Sequence, residues 1–117
     1  MLRKDILRNQ RDFNSVYKKG SSMGSRFVVV LYRKNHLRHT RIAFVASKKV
    51  GNSVMRNRAR RLMRESYRLM DPKPGAGYDI IFVARKTING QKMKDVQKSM
   101  FGALKGAGLI GPKDHAK

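Results

Sequence analysis

The stretch Ser47-Lys48-Lys49-Val50-Gly51-Asn52-Ser53-Val54-Met55-Arg56-Asn57-Arg58-Ala59-Arg60-Arg61-Leu62-Met63-Arg64-Glu65-Ser66-Tyr67-Arg68 decides how the chain is organised. It reads as the end of a strand, a glycine turn and a long helix. Lys48, Lys49, Arg56, Arg58, Arg60, Arg61, Arg64 and Arg68 face one acid, Glu65. At about 100° per residue, Met55, Ala59, Leu62, Met63, Ser66, Leu69 and Met70 share one sector of the helical wheel. Asn57, Arg60, Arg61, Arg64 and Arg68 fall opposite, with Arg56 and Arg58 at the two boundaries. The helix is therefore two-sided, with a core stripe and a ridge of guanidinium groups. Asn52 or Ser53 is suited to cap it, because a short polar side chain accepts from the free N–H groups of the first turn. Gly51 permits a tight entry. A solvated basic face is the plain alternative. The arginine bias counts against it, since guanidinium forks bind phosphate bidentately and stack on bases.

Outward from this stretch, Asn9 to Lys19 reads as a short helix with Phe13, Val16 and Tyr17 on one side, closed by Gly20. Residues 21–25 read as a polar loop. Arg26 to Tyr32 and Arg41 to Ser47 read as strands, antiparallel because the link between them is short. The Pro- and Gly-rich segment 71–77 stops the arginine helix. Tyr78 to Arg85 is a further strand, and Asn89 to Lys105 a last helix with Met93, Val96, Met100, Phe101 and Leu104 on its apolar side. The order α-β-β-α-β-α implies an α/β sandwich, helices packed on a small sheet. Residues 1–8 are expected as a basic N-terminal arm, 9–105 as one domain and 106–117 as a flexible, Gly- and Lys-rich tail.

Charge narrows the partner. Of 117 residues, 28 are Lys or Arg and 7 are Asp or Glu, a formal net charge of +21. Such a balance points to a polyanion, and to a fold that anion binding stabilises against its own repulsion. A basic membrane-surface peptide would lack the three strand-like apolar runs. The absence of cysteine excludes a disulfide framework and thiolate metal sites. With no apolar run near the length of a span and no apolar N-terminal core, cytoplasmic residence is the expectation.

The strands are apolar on both faces: Phe27, Val29 and Leu31 against Val28, Val30 and Tyr32, then Ile80, Phe82 and Ala84 against Ile81 and Val83. Such a sheet is covered twice or uses its open part as a platform. Phe13 and Tyr17, one helical turn apart and beside Lys18 and Lys19, suit a cleft for unpaired nucleotides, since base–aromatic stacking contributes about 1–3 kcal/mol per base. Ordinary core packing of both is the competing reading. No catalytic set emerges. His36 and His39 lie in a basic turn without an acidic partner, and the acids are scattered with no pair at acid–base or metal-ligand spacing.

Ser47 to Arg58, followed by Arg60-Arg61 and Arg64-Glu65, resembles the RNR motif of the bacterial ribonuclease P protein subunit. Asp12-Phe13 with Val16-Tyr17-Lys18-Lys19-Gly20 resembles that family's first helix, and Tyr78 to Arg85 its last strand. The resemblance spans about residues 9–105. It implies a two-layer sandwich with a small mixed sheet and a left-handed βαβ crossover, against the general right-handed rule. It also implies a subunit of a ribonucleoprotein endonuclease that removes the 5′ leader of precursor tRNA, with the chemistry carried by an RNA and its Mg²⁺. Carried over residue by residue, Lys48, Lys49, Asn52, Arg56, Arg58, Arg61 and Arg68 would bind the RNA subunit. Asn57, Arg60 and Arg64 would lie near the leader and the active centre. Phe13, Tyr17, Phe27 and Val30 would line the leader cleft, although the family often carries a tyrosine at Val30. No catalytic residue and no metal ligand are expected on this chain, and neither a membrane nor DNA as partner. A ribosomal protein or general RNA chaperone is the alternative that charge and size allow.

Overall fold

The apolar runs pair into a single sheet. In the computed structural model, which describes residues 3–110, β1 (Ser21–Gly24), β2 (Val28–Lys34), β3 (Arg41–Val45) and β4 (Tyr78–Ala84) take the order β1-β2-β4-β3. β4 is antiparallel to β2 and parallel to β3. It carries the apolar run Ile80 to Val83 and takes a central position, with Ile80, Ile81 and Phe82 buried on its two faces. β2 and β3 do run in opposite directions, but β4 lies between them, so the short link makes no hairpin. The parallel β3–β4 pair is joined through α2 (Ser53–Arg68), the arginine helix.

β1 corrects the sequence reading, which has residues 21–25 as loop. It pairs from Ser21↔Tyr32 to Gly24↔Val29 along the edge of β2. Its side chains are mostly exposed, so backbone hydrogen bonds make the strand and no hydrophobic alternation announces it. The N-terminal arm is likewise built in: Ile6 bridges Ile42, and buried Leu7 donates its N–H to the Ile42 carbonyl at 2.9 Å. At the other end Leu109 and Ile110 are buried, and Leu109 N–H bonds the Leu104 carbonyl at 2.9 Å. The rest of the expected tail, 111–117, lies outside the described residues, as do residues 1–2.

α1 (Gln10–Lys19) starts after Asn9, whose side chain accepts from Arg11 N–H. Gly20 follows it with ordinary φ, and its need is spatial. A Cβ there would lie 2.5 Å from the Val16 carbonyl oxygen and 2.7 Å from that of Tyr32. α3 (Met93–Gly106) begins four residues later than the pattern suggests, after a 3-10 turn at Lys86–Ile88. Asn89 does not cap it. Its amide donates instead to the Val50 carbonyl at 2.7 Å, tying this turn to the entry of α2.

The main core lies between the sheet and α2 plus α3. Val28, Val30, Ile80 and Phe82 meet Ala59, Met63 and Tyr67 of α2 and Val96, Met100 and Leu104 of α3. Tyr67, outside the apolar sector drawn on the wheel, is core. Its ring lies 6.1 Å from Phe44 and 5.7 Å from Phe82, in edge-on and tilted contacts. Met55 and Leu69, inside that sector, are partly exposed because they sit at the helix ends, beyond the sheet. The other face is covered only in part, by α1 and Leu7: Val16, Leu7, Ala43 and Ile81 pack with Phe13, Leu31, Val45 and Val83.

Candidate nucleic-acid interface

The ridge is built from its turn upward. Lys48 and Lys49 are exposed where the chain leaves β3, while Val50 between them and the helix is buried. Gly51 has φ +146°, and a Cβ on it would collide with Met55 Sδ. Asn52 is the cap, its Oδ1 accepting from Met55 N–H at 3.0 Å. Ser53 is the first helical residue and accepts from an Arg56 Nη at 3.2 Å. Arg56 Nε is buried with no acceptor among the described residues, an unspent donor at the start of the helix. Val54, in the same first turn, is 74% exposed.

Along the helix the cations divide by the neighbour they lean on. Arg58 donates to the Gln91 carbonyl at 3.2 Å. With Arg61, Leu62, Glu65 and Met93 it lines a groove of about 390 Å³ beside α3. On the opposite flank Arg60 is half-buried and donates to Asn57 Oδ1, while the Arg64 guanidinium sits 5.8 Å from the centre of the Phe44 ring of β3. The wheel placed Asn57, Arg60 and Arg64 at the centre of the ridge. The structure instead puts Arg60 and Arg64 on its sheet-side flank. Arg68, at the last turn, is paired with Glu65. That hydrogen bond holds the Glu65 carboxyl below the usual carboxylate range and raises Arg68.

Among the described residues only Arg41 and Arg68 form salt bridges, with Asp12, Asp79 and Glu65. The ridge therefore carries almost no internal counter-charge. The Arg41 pair was not legible from the sequence, where Asp12 and Asp79 read as scattered acids. β3–β4 pairing sets Arg41 opposite Asp79. Arg41 Nε and an Nη donate to the Asp79 oxygens at 2.7 and 2.6 Å, and Asn35 donates to the same carboxylate at 2.9 Å.

The second constellation is only partly assembled as expected. Phe13 is half-buried against the α1-side cluster and Tyr17 is 54% exposed, one turn further on. Burial raises the Tyr17 phenol above its ordinary value. Phe27 and Val30, expected as the floor of this cleft, lie elsewhere. Val30 is buried in the main core under α2 and α3. Phe27 precedes β2, also packs against that core, and has the Arg26 guanidinium 5.7 Å from its ring centre. Neighbouring residues in a strand point to opposite faces, so Val30, beside Leu31, turns away from the face that α1 covers. The half-buried floor beside Phe13 is Leu31, Val45 and Val83, with Val29 opposite Val83 in register. The histidines make no site: His36 is exposed, and His39 is bonded through Nε2 to the Lys4 carbonyl at 3.0 Å.

A small mixed sheet, an arginine helix in the β3–β4 connection and a half-open apolar face define a basic α/β sandwich of nucleic-acid-binding type. The Ribonuclease P family profile matches residues 1–108. The ribonuclease P protein component of Alkaliphilus oremlandii (strain OhILAs) is 43% identical over 104 residues, covering 89% of this chain and 91% of its own. A mutant form of the Staphylococcus aureus RNase P protein superposes with TM-score 0.82 at 31% identity, covering 92% of this chain and 91% of its own. The Thermotoga maritima RNase P protein does so with TM-score 0.77 at 30% identity, covering 92% and 98%. The chain belongs to the ribonuclease P protein family. Its members are the protein subunit of the endoribonuclease that removes the 5′ leader of precursor tRNA, whose catalytic centre is RNA.

Proposed function

We propose that this chain binds ribonuclease P RNA through the ridge of α2 and the 5′ leader of precursor tRNA through the half-open face beside α1. The observation that carries the reading is the near absence of internal counter-charge along an arginine ridge on a chain of net charge +21. Lys48, Lys49, Arg56, Arg58, Arg61 and Arg68 supply phosphate contacts to the RNA subunit, with Asn52 fixing the turn that presents them. Arg60, Arg64 and Asn57, on the sheet-side flank, face the leader and the active centre. Phe13 and Tyr17 stack on leader bases above Leu31, Val45 and Val83.

The residues present do not fit a protein-held metal: no three His, Asp or Glu side chains converge among the described residues. Mg²⁺ is accordingly proposed as the RNA's ion, supplying charge stabilisation at the scissile phosphate. This chain supplies binding and orientation. No described helix is long and apolar enough to cross a membrane, and the proposed location is the cytoplasm.

The test is reconstitution with a ribonuclease P RNA at low Mg²⁺. Stimulated leader removal is expected, and none would overturn the reading. Replacing Arg56 and Arg58 with Ala should lower the salt slope of RNA-subunit binding by about 1 per lost phosphate contact. An unchanged slope would mean that they do not face phosphate.

A further inference from the structure

The leader-facing side of α1 has little to hold it in place. The helix has ten residues, too short to be stable alone. Only Val16 among its side chains is fully buried, with Phe13 half-buried and Tyr17 largely open. Its C-terminal end is fixed by the close approach of Gly20 to the Tyr32 carbonyl and by direct continuation into β1. Besides the packing of Phe13, its N-terminal end has one side-chain hydrogen bond to the rest of the fold among the described residues. Asp12 Oδ2 accepts from an Arg41 Nη at 3.1 Å.

That tie is anchored from beneath. Arg41 is clamped by two hydrogen bonds to Asp79, which is 6% exposed and further held by Asn35. A planar guanidinium fixed along one edge presents its remaining N–H in a set direction. Asp12, in the first turn of α1, also sits where the helix dipole favours a carboxylate. Phe13 is the next residue, so the direction in which Asp12 is held sets how far the Phe13 and Tyr17 edge stands off the floor of Leu31, Val45 and Val83.

We infer that Asp12, held by the Arg41–Asp79 clamp, is a positioning residue for the 5′ leader: it fixes α1 against the sheet so that Phe13 and Tyr17 bound a cleft of one set width. The inference rests on the proposed leader cleft. Asp12 acts through α1 and not by touching a nucleotide. Breaking the tie loosens one wall of the cleft and leaves the α2 ridge, on the other face of the sheet, as it was.

The experiment uses the holoenzyme reconstituted with a ribonuclease P RNA. Four proteins are compared: wild type, Asp12→Asn, Asp12→Glu and the double variant Phe13→Ala/Tyr17→Ala. Each is measured for RNA-subunit affinity, and for binding and single-turnover cleavage of precursor tRNA with a long and a one-nucleotide leader. Asp12→Asn keeps the shape and removes the charge, so the fold should survive. It should weaken binding of the long-leader substrate by about three- to tenfold, the scale of one charge-assisted hydrogen bond at a half-exposed site. RNA-subunit affinity and the saturating cleavage rate should hold, and Asp12→Glu should recover most of the loss. The double variant should show the same leader-selective loss, and larger. If it shows none, the cleft reading and this inference fall together. If it does, while Asp12→Asn matches wild type or weakens both substrates equally, the inference alone falls.

Discussion

One face of the sheet is sealed and the other half-open, although β2, β3 and β4 carry branched apolar residues on both. Toward α2 and α3, Val30, Ile80 and Phe82 are wholly buried. Toward α1, Leu31, Val45 and Val83 remain partly exposed. Leaving apolar area in water forgoes about 25 cal/mol per Å², so the open face is an expense in stability. The sealed face offsets it and gives α2 a rigid seat from which to present charge. The proposed function assigns the two faces different kinds of recognition: phosphate contacts by a ridge whose backbone is fixed, and base stacking in a cleft whose wall is lightly held.

The sharpest way to break that comparison is to truncate neighbours on β4. Phe82→Ala should cost about 3–5 kcal/mol by denaturant unfolding, because the aromatic trio with Phe44 and Tyr67 collapses around a cavity. Val83→Ala, adjacent in sequence but on the open face, should cost less than about 1.5 kcal/mol. Similar losses would mean that the two faces are equally packed. A second effect separates them by pH. Burial, with Asp5 adding, pushes the Tyr67 phenol up to about 12, whereas an unfolded tyrosine titrates near its ordinary value of 10.0. The folded state then holds its proton longer than the unfolded state. The stabilisation is complete below pH 10 and is lost as pH rises toward about 12. Wild type should lose about 2–3 kcal/mol across that window beyond what Tyr67→Phe loses. Parallel curves would remove Tyr67 from the sealed face.

The sealed face was largely legible in the sequence and the open one was not, for a physical reason. The periodicity of α2 picked out Ala59 and Met63, and the alternation of β4 picked out Ile80 and Phe82, because both faces of those contacts are apolar. The floor beside Phe13 depends on which strands are neighbours. With β4 between β2 and β3, Val29, Leu31, Val45 and Val83 come together, and no local pattern states that order. Val30 fails as floor on parity alone, which the alternation already contained. β1 stayed hidden because its backbone, not its side chains, makes it a strand. The Arg41–Asp79 clamp needed the parallel register. Arg60 and Arg64 read as ridge centre because a wheel has no neighbours on it. Phe44 draws Arg64 to one side.

That division of the ridge yields the next effect in size. Replacing Arg60 and Arg64 with Ala should weaken leader-bearing substrate by about tenfold, on the scale of two solvent-exposed charge contacts, and mature tRNA less. Replacing Arg58 and Arg61 should instead weaken RNA-subunit assembly and spare the leader preference. Competitive binding against both ligands checks it. Equal losses from both pairs would reduce the ridge to an undivided phosphate clamp.

The smallest effect has the opposite sign. Glu65 is the one acid on the ridge, and its carboxylate occupies the Arg68 guanidinium. Both groups are well exposed, so the pair adds little to folding. Its consequence falls on binding, because a phosphate at Arg68 has to displace a carboxylate already there. Glu65→Gln should therefore tighten RNA-subunit binding at low salt, by about two- to threefold. The gain should fade as ionic strength screens the exposed pair. Its pH dependence follows from the same hydrogen bond. Glu65 titrates below the usual carboxylate range, so wild type and variant should differ across neutral and mildly acid pH and converge only as pH falls through that depressed value. A weaker complex in the Gln variant would show that Glu65 orients Arg68 for phosphate instead of competing for it, and the ridge would then include its acid as a working part.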